Sequence, residues 1–222
     1  GVSRVLGRRL ELTAIRADGS EFPIELTITR MGADEAPMFI GFMRDITEAK
    51  RARDLEQGQR EVLAGIAARR PLLESLEALT RLYESQYPGA LCSVLTLDEA
   101  GERLLAGAAP SLPRQYVLAI HGQPIGPKAG ACGTAAYRRE RVVCADITTD
   151  PLWEDYAALA AEHGLRACWS TPVLASDGRV LATFANYFRD VRAPGAGEMA
   201  VVDGLASLAA VAIEHANAFR TI

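Results

Sequence analysis

From Ile46 to Ala68 the chain contains no proline, and Ala52, Leu55, Gln59, Val62 and Ile66 recur at 3-4-3-4 spacing. That period writes a narrow apolar stripe along one helix. Asp45, with Glu48 three residues on, carries the spacing of a capping box at its start. Arg69-Arg70-Pro71 breaks or restarts it. A helix of this length cannot sit inside a sheet, so it divides the chain into a strand-rich block before it and a mixed block after it. Gly58 weakens it locally, and Gln59 would be a polar position in the seam. The stripe is too narrow to cover a core, which favours a dimeric seam over a linker helix packed on one domain.

The first block reads as three antiparallel strands. Leu10, Leu12 and Ala14 share one parity, Asp18-Gly19 marks a turn, and Phe22, Ile24, Leu26 and Ile28 resume the alternation. A loop from Met31 to Pro37 leads to a third strand, PMFIGFMRDI. Residues 1–46 thus make half a domain, a sheet with no helix of its own to cover it.

The block from residue 71 opens with a helix whose face carries Leu72, Leu76, Leu79 and Tyr83. ALCSVLTL and RLLAGAAP are strands about a turn at Asp98 to Gly101. A short helix spans Pro113 to Ile120, and Gly122 to Gly130 is a loop. ACGTAAYRRE reads as a helix and RVVCADI as a strand. Asp150 caps a further helix, with Pro151 at its first position, Leu152, Tyr156 and Leu159 inward, and Gly164 at its end. LRACWSTPVLA and RVLATFANYFRD flank the Ser176-Asp177-Gly178 hairpin. From about Gly195 a last helix is apolar on two sides, with Val202, Leu205, Leu208, Ala212, Ala216 and Phe219 against Ala206, Ala209, Ala210 and Ala218. It therefore has two neighbours, its own sheet and a partner chain. The fold class is α+β: an antiparallel sheet with its first and last helices on one face and the shorter helices roofing a ligand cavity on the other.

With 49% hydrophobic and 23% charged residues and a net charge of −4, wholesale disorder and a basic nucleic-acid-binding surface are excluded. No uninterrupted apolar run approaches ~18 residues, so no membrane span is expected, and no signal peptide opens the chain. Cys92, Cys132, Cys144 and Cys168 form no CxxC pair, so no metal site is assigned and reduced thiols in a cytoplasmic protein are expected. The 222 residues amount to about one and a half domains. The absence of an initial methionine fits a piece of a longer chain.

Two resemblances emerge from these segments. ADGSEFPIELTITR, FIGFMRDITEAK and the Asp45-Ile46-Thr47 junction resemble the C-terminal half of a PAS domain, over residues 1–46, followed by a signalling linker helix at 47–70. SLPRQYVLAIHGQPIGPKAGACGTAAY, VVCADITTDPLWEDY, HGLRACWSTPV and LASLAAVAIEHANAF resemble a GAF domain at 71–222, of the type found in bacterial sensor kinases and cyclic-di-GMP enzymes. The second resemblance implies a six-stranded sheet with a ligand pocket on one side and a dimer helix pair, 46–68 and 197–220, on the other. It leaves the ligand and any cofactor unknown, because GAF domains bind cyclic nucleotides, bilins, haem, oxoacids or nothing.

Cys132 lies where the glycine-rich loop enters a helix. Backbone N–H groups of Ala131, Cys132, Gly133 and Thr134 there suit an anionic or polar ligand group, or Cys132 simply plugs helix against sheet. Trp153 and Trp169 would border the cavity as an aromatic pair, or pack as ordinary core. Asp146 accepts hydrogen bonds from a ligand or anchors its loop. Phe184 and Tyr187 face opposite sides of their strand. His163 complements a helix C-terminus, and His121 is the better ligand candidate; either would serve as an axial haem ligand.

The function expected is a non-catalytic sensory fragment with no catalytic residue, its effector domain outside the chain. An alternative follows from a second likeness within the GAF family. Cys132 in GACGTAA and Cys168 in GLRACWS, with Cys144 between, resemble the thiols of free methionine-(R)-sulfoxide reductases. Trp169 stands where those enzymes usually carry a carboxylate. A third reading is a ligand-free spacer.

Overall fold

The computed structural model describes residues 6–31 and 38–220, so most of the loop expected from Met31 to Pro37 lies outside the described residues. The chain divides into two compact units, residues 1–56 and 57–222.

The first unit is a meander of β1 (Arg9–Ile15), β2 (Glu21–Met31) and β3 (Met38–Asp45), paired antiparallel in that order. At the β1–β2 turn Gly19 takes φ 86°, and the Asp18 carboxylate accepts from the Ser20 N–H at 2.9 Å. Ile24 is buried, whereas Phe39, Phe42 and Met43 stay exposed, Phe42 at 68%. α1 (Thr47–Ala67) then begins. Its cap is tighter than the box spacing predicts: Asp45 accepts from the N–H and hydroxyl of Thr47, two residues on, at 2.9 and 2.6 Å. Those bonds, led by the hydroxyl's, hold the Asp45 carboxyl at about 2.

In the second unit the late part of α1 is occupied within the chain. Val62 and Ile66 are buried, and Gly58 approaches α2 (Leu72–Gln86) so closely that a Cβ there would stand 2.5 Å from a Leu82 methyl. The lower half of the stripe thus packs on this unit, while Ala52 is exposed and Leu55 half-buried.

Six strands form one antiparallel sheet: β4 (Leu91–Leu97), β5 (Arg103–Ala108), β6 (Gln123–Pro124), β7 (Val142–Cys144), β8 (Ala167–Leu174) and β9 (Val180–Phe188). Their order is β6-β5-β4-β9-β8-β7. The two-residue edge strand β6 falls in the segment expected to be loop. α2 and α6 (Ala196–Arg220) cover one face of the sheet. α3 (Arg114–Ile120) lies on β5 at the other face, and α4 (Gly130–Arg138) lies on β7, β8 and β9.

The helix expected from Asp150 is split. Asp150 accepts from the Leu152 N–H at 2.9 Å and caps a 3-10 turn, Pro151–Trp153, before the short α5 (Ala157–Glu162). The break sets the Trp153 ring against Gly130, 3.8 Å from where a Cβ would sit.

α6 is long and apolar enough by composition to cross a membrane, with mean hydropathy 1.6 over Ala196–Phe219. No unbroken apolar run announces this, because Glu198, Asp203 and Glu214 interrupt it. Val202, Leu205, Ala209 and Ile213 are buried, as in the core helix of a globular domain.

Candidate functional site

Strand register builds the sheet face beneath α4, from which Leu95, Leu104 and Tyr187 reach the cavity. Leu91, Tyr187, Cys168 and Cys144 stand opposite one another in a row across β4, β9, β8 and β7. Ser93, Ala185, Ser170 and Val142 make the next row. Side chains two apart on a strand share a face, so both rows look toward α4. Between this face and the roof of α3, α4 and the 3-10 turn lies a cavity of about 40 Å³. Its wall is mainly apolar, from Leu95, Leu104, Tyr116, Ile120 and Trp153, with Cys132 and Tyr187 supplying polar atoms. A water needs ~10–15 Å³ of such space, so the room suits a few water-sized groups rather than the ~300 Å³ and more of a typical ligand pocket.

Of the residues expected to meet a ligand, Ala131, Cys132, Gly133 and Trp153 line this cavity. The others do different work. Thr134 is fully buried and accepts from the Ala129 N–H at 3.0 Å, stapling the glycine-rich loop onto α4. His121 caps α3, its Nδ1 accepting from the Ala106 N–H at 3.0 Å. Asp146 accepts from the Thr148 N–H and hydroxyl at 3.0 and 2.7 Å and pairs with Arg166 at 3.4 Å, the loop-anchoring role. Those contacts, the Thr148 hydroxyl first, lower its carboxyl.

Trp169 requires a correction. It is the neighbour of Cys168 in β8 and points to the opposite side, where it stacks on Phe188 with ring centroids 4.6 Å apart. It faces the sheet side covered by α2 and α6. Phe184 and Tyr187 do divide between the faces: Phe184 meets Tyr83 edge-on, and Tyr187 meets Tyr116 in the cavity wall. His163 caps α5 and packs its ring edge-on against Tyr116.

The close fit of α4 explains its glycines. At Gly133 a Cβ would collide with that of Ala129 at 2.5 Å, and Gly130 takes φ 59°, a backbone that disfavours other side chains. No side chain caps this helix, and its first turn carries no acidic residue.

All four cysteines are free and buried. Cys132, in that first turn, lies 3.4 Å from the Tyr187 hydroxyl. The neighbouring Cys168 thiol, with the Tyr187 hydroxyl beside it, outweighs burial and draws the Cys132 thiol down to about 7. Burial pushes Cys168 up. Burial, aided by Asp150, takes Cys144 to about 12. Among the described residues no cluster of three or more His, Cys, Asp or Glu is placed to hold a metal ion.

The Ser93, Ser170 and Thr183 hydroxyls and the Trp153 indole N–H are buried without hydrogen-bond partners, as are the Arg166 Nε and, on the opposite sheet face, the Trp169 Nε1 and Asn186 Nδ2. Sequence reasoning missed these three hydroxyls and Tyr116. Their parity with Tyr187 across the β4–β9–β8 register is the signal that groups the hydroxyls.

The model of the GAF domain family matches residues 72–214, and the chain belongs to that family. It is 39% identical over 205 residues to the methyl sulfide methyltransferase-associated sensor of Methanosarcina acetivorans, covering 88% of this chain and 20% of that protein. It is 30% identical over 111 residues to the sensor protein FixL of Bradyrhizobium diazoefficiens, covering 50% of this chain and 21% of that one. The chain thus spans about a fifth of the length of the curated relatives it matches. Free methionine-R-sulfoxide reductase from Neisseria meningitidis, solved with its substrate, shares the fold with TM-score 0.58 at 18% identity, over 78% of this chain and 93% of that one.

Proposed function

We propose that residues 57–222 are the sensory module of a larger cytoplasmic signal-transduction protein, of two-component or cyclic-di-GMP type. A small molecule or redox signal is received in the cavity beneath α4. The observation that carries this reading is the cavity itself: a roofed, mainly apolar space lined by Cys132, Tyr187 and Trp153, whose indole N–H is buried without a partner. Relationship to two sensor proteins supports it. The occupant biases the packing of α1 and α6, which associate with a second copy. A ligand shifts such an equilibrium only by its difference in affinity for the two states. The three N-terminal strands fit the C-terminal half of a PAS domain.

Native mass spectrometry and the absorption spectrum of the purified protein test the pocket. A stoichiometric bound molecule supports it. A protein that stays empty, and is not stabilised by any member of a metabolite and redox panel, contradicts it. For the relay, Leu55→Asp is expected to shift sedimentation toward monomer, and a parent chain already monomeric contradicts the seam.

Cys132 and Cys168, carried on the packed elements α4 and β8, give a second reading, a methionine-sulfoxide-reducing enzyme. Trp169 faces away from the cavity, so no group at that position delivers a proton there. NADPH consumption with thioredoxin and free methionine sulfoxide, lost in Cys168→Ser, would establish the enzyme. No turnover would dismiss it.

A further inference from the structure

The cavity beneath α4 has walls of two kinds. Leu95 of β4, Leu104 of β5 and Ile120 of α3 make an aliphatic wall. The wall from α4 and the 3-10 turn carries hydrogen-bond donors. Trp153 lines the cavity at 3% exposure, and its indole N–H is buried with no partner. The ring atom nearest to where a Gly130 Cβ would sit is Cε2, the carbon bonded to the indole nitrogen, at 3.8 Å. The indole donor therefore lies beside the first residue of α4. The first N–H groups of a helix have no acceptor within it. In α4 the Gly133 N–H reaches back to the Ala129 carbonyl at 3.1 Å, and no side chain caps the helix. The N–H groups of Gly130, Ala131 and Cys132 remain, on three residues that all line the cavity. No Asp or Glu lines it, and α4 has none in its first turn. An unpaired buried indole N–H calls for an acceptor, and the positive end of the helix dipole beside it calls for an anion.

We propose that this cavity receives a short-chain monocarboxylate of the size of acetate. This rests on the cavity being the sensory site and names the class of ligand it takes. The carboxylate accepts from the Trp153 indole N–H and from the start of α4, and the methyl group lies against Leu95, Leu104 and Ile120. At ~10–15 Å³ for each water-sized group, the cavity of about 40 Å³ holds ~3–4 of them. A carboxylate bearing a methyl group fills that space, and a longer alkyl chain exceeds it. The donors and the helix dipole offset the cost of taking a single negative charge out of water, and the aliphatic wall gains from the methyl group. Once bound, the ligand fastens the 3-10 turn to α4 through an acceptor group shared by both.

The chain holds 2 tryptophans, so a proton–nitrogen NMR correlation spectrum shows one indole N–H signal for each, assigned with Trp153→Phe and Trp169→Phe. Sodium acetate titrated into the 222-residue chain at constant ionic strength should move the Trp153 signal downfield in a saturable way. The Trp169 signal should stay in place, because that ring faces the other side of the sheet. Acetamide, of similar shape without the charge, should bind roughly tenfold more weakly or worse, and so should butyrate, which is too long. Trp153→Phe keeps a ring and removes the N–H. It should weaken acetate roughly tenfold, followed through the Ala131 and Cys132 backbone amides. Should that variant fail to fold, Trp169→Phe assigns both signals and the ligand series decides. Acetate that leaves the Trp153 signal unmoved, or acetamide or butyrate binding as tightly as acetate, overturns the proposal. In that event, a molecule from the metabolite and redox panel that does move the Trp153 signal leaves the sensory reading standing. If none does, the sensory reading falls as well.

Discussion

The two faces of the six-stranded sheet are built from the same strands and finished differently. On the side of α2 and α6, Trp169 stacks on Phe188, the Arg192 guanidinium sits 4.2 Å over the Phe188 ring, and Cys92 donates to Asn186 at 3.3 Å. Glu198, almost fully buried, accepts from the Tyr83 hydroxyl at 2.7 Å and from Arg192 at 2.9 Å, so its charge is answered. On the side of α4 there is a cavity, a lined thiol and hydroxyls in waiting. One face is arranged for cohesion of the sheet with α2 and α6. Partnerless polar atoms occur on both faces, the Ser93, Ser170 and Thr183 hydroxyls toward α4 and the Trp169 Nε1 and Asn186 Nδ2 away from it, so the difference between the faces is the cavity and the thiol that lines it.

Substitutions can break or sharpen that contrast. Trp169→Ala empties a fully buried site and should lower stability by about 3–5 kcal/mol in a denaturant melt. Trp153→Ala, beside existing space, should cost clearly less; the reverse order would break the comparison. Glu198→Ala strips Tyr83 and Arg192 of their shared acceptor. The expected loss is about 2 kcal/mol, below the value for a sealed ion pair because the Arg192 side chain is 33% exposed. Thr183→Val replaces a partnerless hydroxyl by a methyl of like size. It should change stability by less than about 1 kcal/mol, with either sign. A larger loss would show that the hydroxyl is engaged and that sheet face already satisfied.

Much of this arrangement is legible in the sequence, and the failures are instructive. Period-2 alternation located β1 and β2, Ser176-Asp177-Gly178 located the β8–β9 hairpin, and Gly130 and Gly133 located the tight entry to α4. The six-stranded sheet is what the GAF resemblance implies; the element order alone offers five of its strands, because β6 is a two-residue edge in a segment that reads as loop. The segment of Trp169 borders the cavity, yet its strand parity, opposite to that of Cys168, turns its side chain to the other face. The register with Tyr187 decides between them, and register arises from long-range pairing that no local pattern displays. The split at Trp153 escaped for a similar reason: the Asp150-Pro151 cap is local, whereas the pull of the indole onto Gly130 is tertiary. The 3-4 period of α1 predicts a seam between chains but does not say which surface answers it; Val62 and Ile66 find theirs within residues 57–222.

The central claim is that the face under α4 carries a poised thiol and the opposite face does not. Site-resolved alkylation by a small reagent such as iodoacetamide, followed from pH 5 to 10 by mass spectrometry, tests it most directly. A lowered thiol pKa means that the thiolate, and with it the rate, is lost as pH falls through the folded value. Cys132 should therefore react first, its rate rising with a midpoint near 7, while Cys92, Cys144 and Cys168 stay silent. A midpoint near the ordinary thiol value of 9, or first reaction at Cys92, would contradict it.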